Sequence, residues 1–378
     1  MLNSFKKNIL NKYYKMKNMR TLILLSLAFL SLFSCQATLK TTTPEVKNII
    51  FMIGDGMGLP AVYAAMTVSQ VPLNFERCQY TGLAKTFSLD DYITDSAAGG
   101  TALSSGKKTR NGIIGQDTLG NKFKSILEFA EENGLATGLV STSAITHATP
   151  ASFIAHVPDR DLYEDIALEF LKTDIDVFIG GGINHFNHRA DGLKLIDTLR
   201  NHGYEVDTTL ETIMGAKGLK LAGLNVPEHN PYRLNGRGDM LPLSSQKAID
   251  ILSQNPKGFF LMIEGSQIDW AGHGNLQENL IDETLDFDKA LGLVLDFAEK
   301  DGHTLVVVTA DHETGGVTIT GGDLESHKIE LSFSTKDHTA IMVPVYAYGP
   351  GAEKFSGIYD NTAIFNKFME LFGFQLDK

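Results

Sequence analysis

Two cysteines and one tryptophan are all that 378 residues contain. Cys35 sits at the end of an apolar leader, so its lipidation or removal leaves Cys78 without a partner. That excludes an intramolecular disulfide in the mature chain and makes Cys78 a small apolar packing residue. Stability must come from core packing and bound metal. Positive charge is also short: 33 Lys and Arg face 45 Asp and Glu, a formal net charge of −12. This excludes nucleic acid as the main ligand. An acidic protein that handles anions needs local positive charge, which metal ions can supply. There is no internal repeat, low-complexity tract or linker. The apolar run 21–34 is too short for a comfortable membrane span.

What is present begins with a basic segment, "KKNILNKYYKMKNMR", followed by "TLILLSLAFLSLFS" and Cys35. This resembles a bacterial lipoprotein signal with "LFSC" as lipobox, Met16 or Met19 being alternative starts, and an ordinary cleaved signal peptide being the plain alternative. The expected organisation is a signal over 1–35, a tether over 36–46 and one catalytic domain over 47–378. The protein is expected to be exported, to the periplasm or to the outer membrane through a lipid on Cys35.

From Lys47 onward, short apolar runs recur: "NIIFMI" at 48–53, "TGLVST" at 137–142, "IDVFIG" at 175–180, "GFFLMI" at 258–263, "TLVVVT" at 304–309 and "IMVPVYAY" at 341–348. Continuous runs of this kind suit strands buried on both faces of a parallel sheet. Between them, Phe123, Ile126, Leu127 and Ala130 predict a helix over 121–133 ended by Gly134. The fold class is therefore α/β: a three-layer sandwich with a central, mostly parallel sheet flanked by helices. Segment 181–240 has the weakest pattern and is expected to be a loop-rich insertion bordering the site or a subunit contact.

In "YITDSAAGGT", residues 92–101, Ser96 stands among small residues. It is either the N-cap of an Ala-rich helix or a nucleophile at a helix N-terminus. Elsewhere, acidic and histidine residues follow strands: Asp55 after "FMI", Glu264, Asp269 and His273 in "EGSQIDWAGHG", Asp311 and His312 in "TADHE", and His338 before the last apolar run. Open α/β sheets bind ligands at the carboxyl ends of their strands. One such residue would be a cap or a solvated loop group; several at equivalent ends converge. Asp269 and His273 are one helical turn apart and can face one ion. Such a donor set suits Zn²⁺, or Mg²⁺ where oxygens dominate. A serine beside two divalent cations can attack as an alkoxide. Arg160 in "AHVPDR" can grip two phosphate oxygens through its planar fork, or be a surface arginine. His156, His185, His188, His202 and His303 read as surface or packing residues.

"ITDSAAGGT", "GDGMG", "HATPASFIAHVPDR", "EGSQIDWAGHG", "TADHETGG" and "DHTA" together resemble the alkaline phosphatases, in family order and over residues 47–370. The resemblance implies that Ser96 is phosphorylated and that Arg160 holds phosphate. It implies one zinc on Asp269, His273 and His338, a second on Asp55, Asp311 and His312, and a third ion, usually magnesium, on Asp55, Glu264 and Thr149. It also implies a homodimer and hydrolysis of phosphate monoesters of broad specificity. The sequence departs from the best-known bacterial pattern at His147, where that pattern has aspartate, and at Trp270, where it has lysine. These changes put in doubt the third metal, which His147 would border, and the grip on phosphate, where Trp270 would stand. Within the same superfamily, a sulfatase would need a C/S-x-P-x-R context, several diesterases use threonine, and a mutase needs a large inserted domain. From another class, a non-catalytic phosphate- or metal-binding lipoprotein would need no serine between metal ligands.

Overall fold

The computed structural model describes residues 2–32 and 45–375. The chain divides into a leader unit, residues 1–43, and a second unit, residues 44–378. Within the leader, Leu2–Leu32 forms one helix. Among the described residues, no helix is long and apolar enough to cross a membrane. Cys35 and its lipidation lie outside the described residues.

In the second unit, the strands are β1 Asn48–Gly54, β2 Tyr80–Lys85, β3 Ala136–Ala144, β4 Val177–Gly181, β5 Glu205–Asp207, β6 Leu221–Leu224, β7 Phe259–Gly265, β8 Thr304–Thr309, β9 Glu313–Thr314, β10 Val317–Asp323, β11 Lys328–Phe333, β12 His338–Thr339, β13 Val343–Tyr348 and β14 Gly357–Asp360. Ten of them form one sheet in the order β14-β2-β13-β8-β1-β7-β3-β4-β6-β5. Every apolar run singled out in the sequence lies in this sheet. β1, β7 and β8 are buried along their whole length, because both faces are covered. On one face Phe51 and Phe260 meet Phe153 and Phe368; on the other, Phe259 meets Phe297 of the long helix Gln277–Asp301. Adjacent residues of a strand point to opposite faces, so this pattern requires helices on both sides.

Three expectations are corrected. The run 341–348 does not join the parallel set: β13 pairs antiparallel with both β8 and β2. The helix expected over 121–133 is Ile126–Glu132, because Ser125 accepts from Glu128 N–H while the Glu128 carboxylate accepts from Ser125 N–H. This capping box starts the helix three residues after Phe123. Segment 181–240 is less loop-rich than expected: it holds helices Ile183–Asn187, Leu195–Asn201 and Leu210–Gly215 and the strands β5 and β6, which complete one edge of the sheet. β2, β5, β6 and β14 have no counterpart among these runs, being short or only partly apolar. Cys78 is a free thiol, partly buried, and burial pushes it up to about 12.

Candidate active site

The sheet delivers its polar residues to one edge. β1 ends into Asp55, β7 carries Glu264, and β8 leads into Asp311 and His312. His338 arrives differently. Because β13 is antiparallel, the residues just before it lie at the carboxyl ends of the parallel strands. The two-residue strand β12, His338–Thr339, is held there by pairing with β9.

Ser96 opens the helix Ser96–Ser105, but it is not the cap. Asp95 is, its Oδ1 accepting from Ala98 N–H at 2.9 Å. The Ser96 hydroxyl is therefore left to the site, 3.2 Å from His312 Nε2. The small residues around it have a steric reason. A Cβ on Gly99 would sit 3.2 Å from Asp311 Cβ, and one on Gly56 would sit 2.8 Å from Asp269 Cα. Gly56 also has φ +69°, a conformation that costs glycine nothing.

Three groups of ligand-type atoms converge. Asp269, His273 and His338 form one, Asp55, Asp311 and His312 a second, and Asp55, Glu264 and His147 a third, each with donor atoms within 4.8 Å of one another. In the first, His273 Nδ1 faces Lys336 C=O and His338 Nδ1 donates to Thr94 C=O at 2.9 Å. With Nδ1 facing those carbonyls, both Nε2 atoms turn toward Asp269. They lie 3.1 Å apart and 3.4 and 3.5 Å from Asp269 Oδ1. Two imidazole nitrogens and a carboxylate aimed at one point suit a cation. In the second, His312 Nε2 lies 3.4 Å from Asp55 Oδ1 and 3.3 Å from Asp311 Oδ2. In the third, Thr149 donates to Asp55 Oδ2 at 3.3 Å.

The electrostatics agree. Burial, with Asp311, Asp269 and Glu264 nearby, raises Asp55 well above the usual carboxylate range. Burial brings Glu264 to about 7, against hydrogen bonds from Ser141 and Ser266. Burial and the charge of Asp269 bring Asp311 to about 6. Burial also raises Asp269, but the hydrogen bond from His338 and the three imidazoles leave it below its usual range. Burial and His338 hold His312 neutral. Asp55 Oδ1, Glu264 Oε1, Asp311 Oδ2 and His147 Nδ1 are buried without a hydrogen-bond partner. The orphaned buried carboxylate oxygens, crowded this closely, cost free energy unless a cation meets them. The residues therefore fit divalent metals.

Arg160 is not a free surface arginine. Nη1 donates to Asp95 Oδ2 at 2.9 Å, and Nη2 lies 3.4 Å from His147 Nε2. Trp270 stands edge-on to His147, ring centres 5.9 Å apart. All twelve residues singled out in the sequence thus lie in this region. Sequence reasoning missed Asp95, Thr314, whose hydroxyl donates to Asp269 Oδ1, Ser141 on Glu264, and His229. Asp95 had a signal, since it directly precedes Ser96. The others are short polar side chains or loop residues with no local pattern. His185, read as a packing residue, stacks on Tyr163 at 4.8 Å.

The alkaline phosphatase family model matches residues 46–332. Alkaline phosphatase 4 of Bacillus subtilis is 36% identical, over 85% of this chain and 88% of its own. The structure of alkaline phosphatase from the Antarctic bacterium TAB5 superimposes with a TM-score of 0.83 at 42% identity, covering 88% of this chain and 100% of its own. A histidine-to-aspartate mutant of the TAB5 enzyme, solved with Mg bound in the M3 site, gives 0.84 at 41% identity over the same shares. Family model, sequence relatives and sheet agree over most of the chain: it belongs to the alkaline phosphatase family.

Proposed function

We propose that the protein is an alkaline phosphatase that hydrolyses phosphate monoesters by double displacement through Ser96. The observation that carries this is the Ser96 hydroxyl, not used as the helix cap and 3.2 Å from His312 Nε2 of the second metal-type group, whose ring stacks at 3.5 Å on His338 of the first. Asp269, His273 and His338 would hold one zinc and Asp55, Asp311 and His312 a second. Asp55, Glu264 and Thr149, with His147 beside them, would hold the third ion. When bound, these ions lower the pKa of the serine and of water and neutralise charge on the transferred group. Ser96 Oγ attacks phosphorus, the ester oxygen leaves with the electron pair of the broken P–O bond, and phosphoserine forms. Water then attacks phosphorus from the side the ester oxygen left, opposite Ser96; the Ser96 oxygen departs with the electron pair of its P–O bond and regains a proton, and inorganic phosphate is released. Arg160, braced by Asp95, offers its fork to two non-bridging oxygens. The N-terminus of helix Ser96–Ser105 adds positive potential. Trp270 borders the substrate.

His147 provides nitrogen where aspartate would provide charged oxygen, a preference for zinc over magnesium at the third position. The TAB5 histidine-to-aspartate mutant with Mg bound is in keeping with that direction. Export as a lipoprotein on Cys35 and a homodimer complete the reading. The test is acid trapping: turnover stopped at low pH should leave phosphate on Ser96 by peptide mapping, and Ser96→Ala should abolish the label. Label on another residue would overturn the assignment.

A further inference from the structure

We infer that His229 is a positioning residue for the phosphate rim. Its ring, set between Trp270 and Tyr163, holds the indole of Trp270 and the imidazole of His147 in place, and through His147 the guanidinium of Arg160. The inference rests on the phosphatase reading above.

His229 lies in the loop after β6. Its ring centre is 4.8 Å from Trp270, at 81°, and 5.4 Å from His147, at 89°. With the 5.9 Å between His147 and Trp270, the three rings form a closed triangle of edge-to-face contacts. On its outer side His229 meets Tyr163 edge-on at 6.4 Å. The ring cannot turn freely, because Nδ1 accepts from Ala144 N–H at 3.0 Å, at the end of β3. That leaves Nε2 to carry the proton.

The loop is as fixed as the ring. Asn225 and Asn230 exchange amide hydrogen bonds at 2.7 and 3.1 Å. Asn230 N–H donates to Thr142 C=O at 3.2 Å, and Gln267, fully buried, donates to Asn230 C=O at 2.7 Å and to Thr142 C=O at 2.9 Å. Gln267 starts the helix that carries Trp270. Loop, strand end and helix are thus tied at one point. Two rings alone leave each other free to rotate; the third closes the set. Among the described residues, His147 Nε2 is the one hydrogen-bond partner of Arg160 Nη2, whereas Nη1 has Asp95. Loosening His147 frees half of the fork.

The single tryptophan makes this measurable without turnover. On full-length, metal-loaded protein, we would compare His229→Asn, which keeps an acceptor for Ala144 N–H and loses the ring, with His229→Phe, which keeps a ring and loses the acceptor. The readouts are Trp270 emission and acrylamide quenching, inhibition by inorganic phosphate, KM and kcat on an aryl phosphate, and melting temperature. His229→Asn should red-shift Trp270 emission, raise quenching, and weaken phosphate inhibition and raise KM by about threefold to tenfold with kcat not lowered. His229→Phe should stay within about twofold of wild type in phosphate inhibition and keep its emission, even if it melts lower. Wild-type emission and inhibition in His229→Asn overturn the inference. Equal shifts in both variants also overturn it, since the hydrogen bond and not the ring would then matter. If the wild type hydrolyses no aryl phosphate, the functional reading fails, while emission still decides whether His229 holds Trp270.

Discussion

At the scale of single residues, the site turns on which neighbour takes which task. Asp95 caps the helix and braces Arg160, and that frees Ser96. Arg160→Ala should therefore weaken phosphate inhibition and lower monoester kcat/KM by roughly a hundredfold, with a much smaller loss for diesters, which offer fewer free oxygens. Equal losses on both substrates would contradict a phosphate-gripping role. A second residue reports on pH. Burial raises Glu131 to about 7, against hydrogen bonds from Asp174 N–H and Thr137. A raised carboxyl binds its proton more tightly folded than unfolded. Its contribution is therefore full below the unfolded value near 4.5 and is lost as pH rises through about 7. Metal-saturated wild type should lose about 3 kcal/mol from this group between pH 4.5 and 8, and Glu131→Gln should remove that part of the slope in urea unfolding.

At the scale of elements, the direction of one strand decides the first metal-type group. Reversing β13 relative to its neighbours is what returns His338 to the edge where Asp269 and His273 already stand. A second element-scale device holds the loop that carries His229. Arg237 is buried and pairs with Glu283 at 2.5 Å and Asp286 at 2.8 Å, both on the long helix. Removing one partner of a buried pair leaves uncompensated charge. Arg237→Ala should cost ~3–5 kcal/mol, read as a lower melting temperature. It should also loosen the 225–240 loop, read as faster amide exchange there. An unchanged melt would mean the network is solvated. Gly56 is the corresponding steric point: Gly56→Ala combines a disfavoured φ with a Cβ against Asp269, and should reduce metal affinity as well as stability, measured by metal titration and melting.

At the scale of the whole molecule, metals and fold are expected to be one thermodynamic system. Asp55, Glu264, Asp269 and Asp311 are all nearly or fully buried within one small region, and three of them contain or face unpartnered acceptors. Chelation should abolish activity and also lower the melting temperature by many degrees, because a ligand that binds only the folded state stabilises it. A chelated protein, shown metal-free by elemental analysis, that melts unchanged would contradict this.

The sequence by itself determined the sheet class, the core strands and the family. Apolar runs of strand length need cover on both faces, and Asp, His and Ser in a fixed order along the chain carry their own chemical signature. The small residues around Ser96 stand out in the sequence, but what Gly99 makes room for, Asp311, is known only from the structure. The tertiary structure decided three things that no local pattern encodes. It set the direction of β13, which depends on pairing with β2, distant in sequence, and with the nearer β8. It gave the cap to Asp95, a choice between two adjacent residues that only side-chain geometry resolves. And it brought His229 to the rim from a segment without periodicity, because hydrogen bonds to Thr142, Gln267 and Ala144 fix that loop, and such partners are chosen by proximity in space.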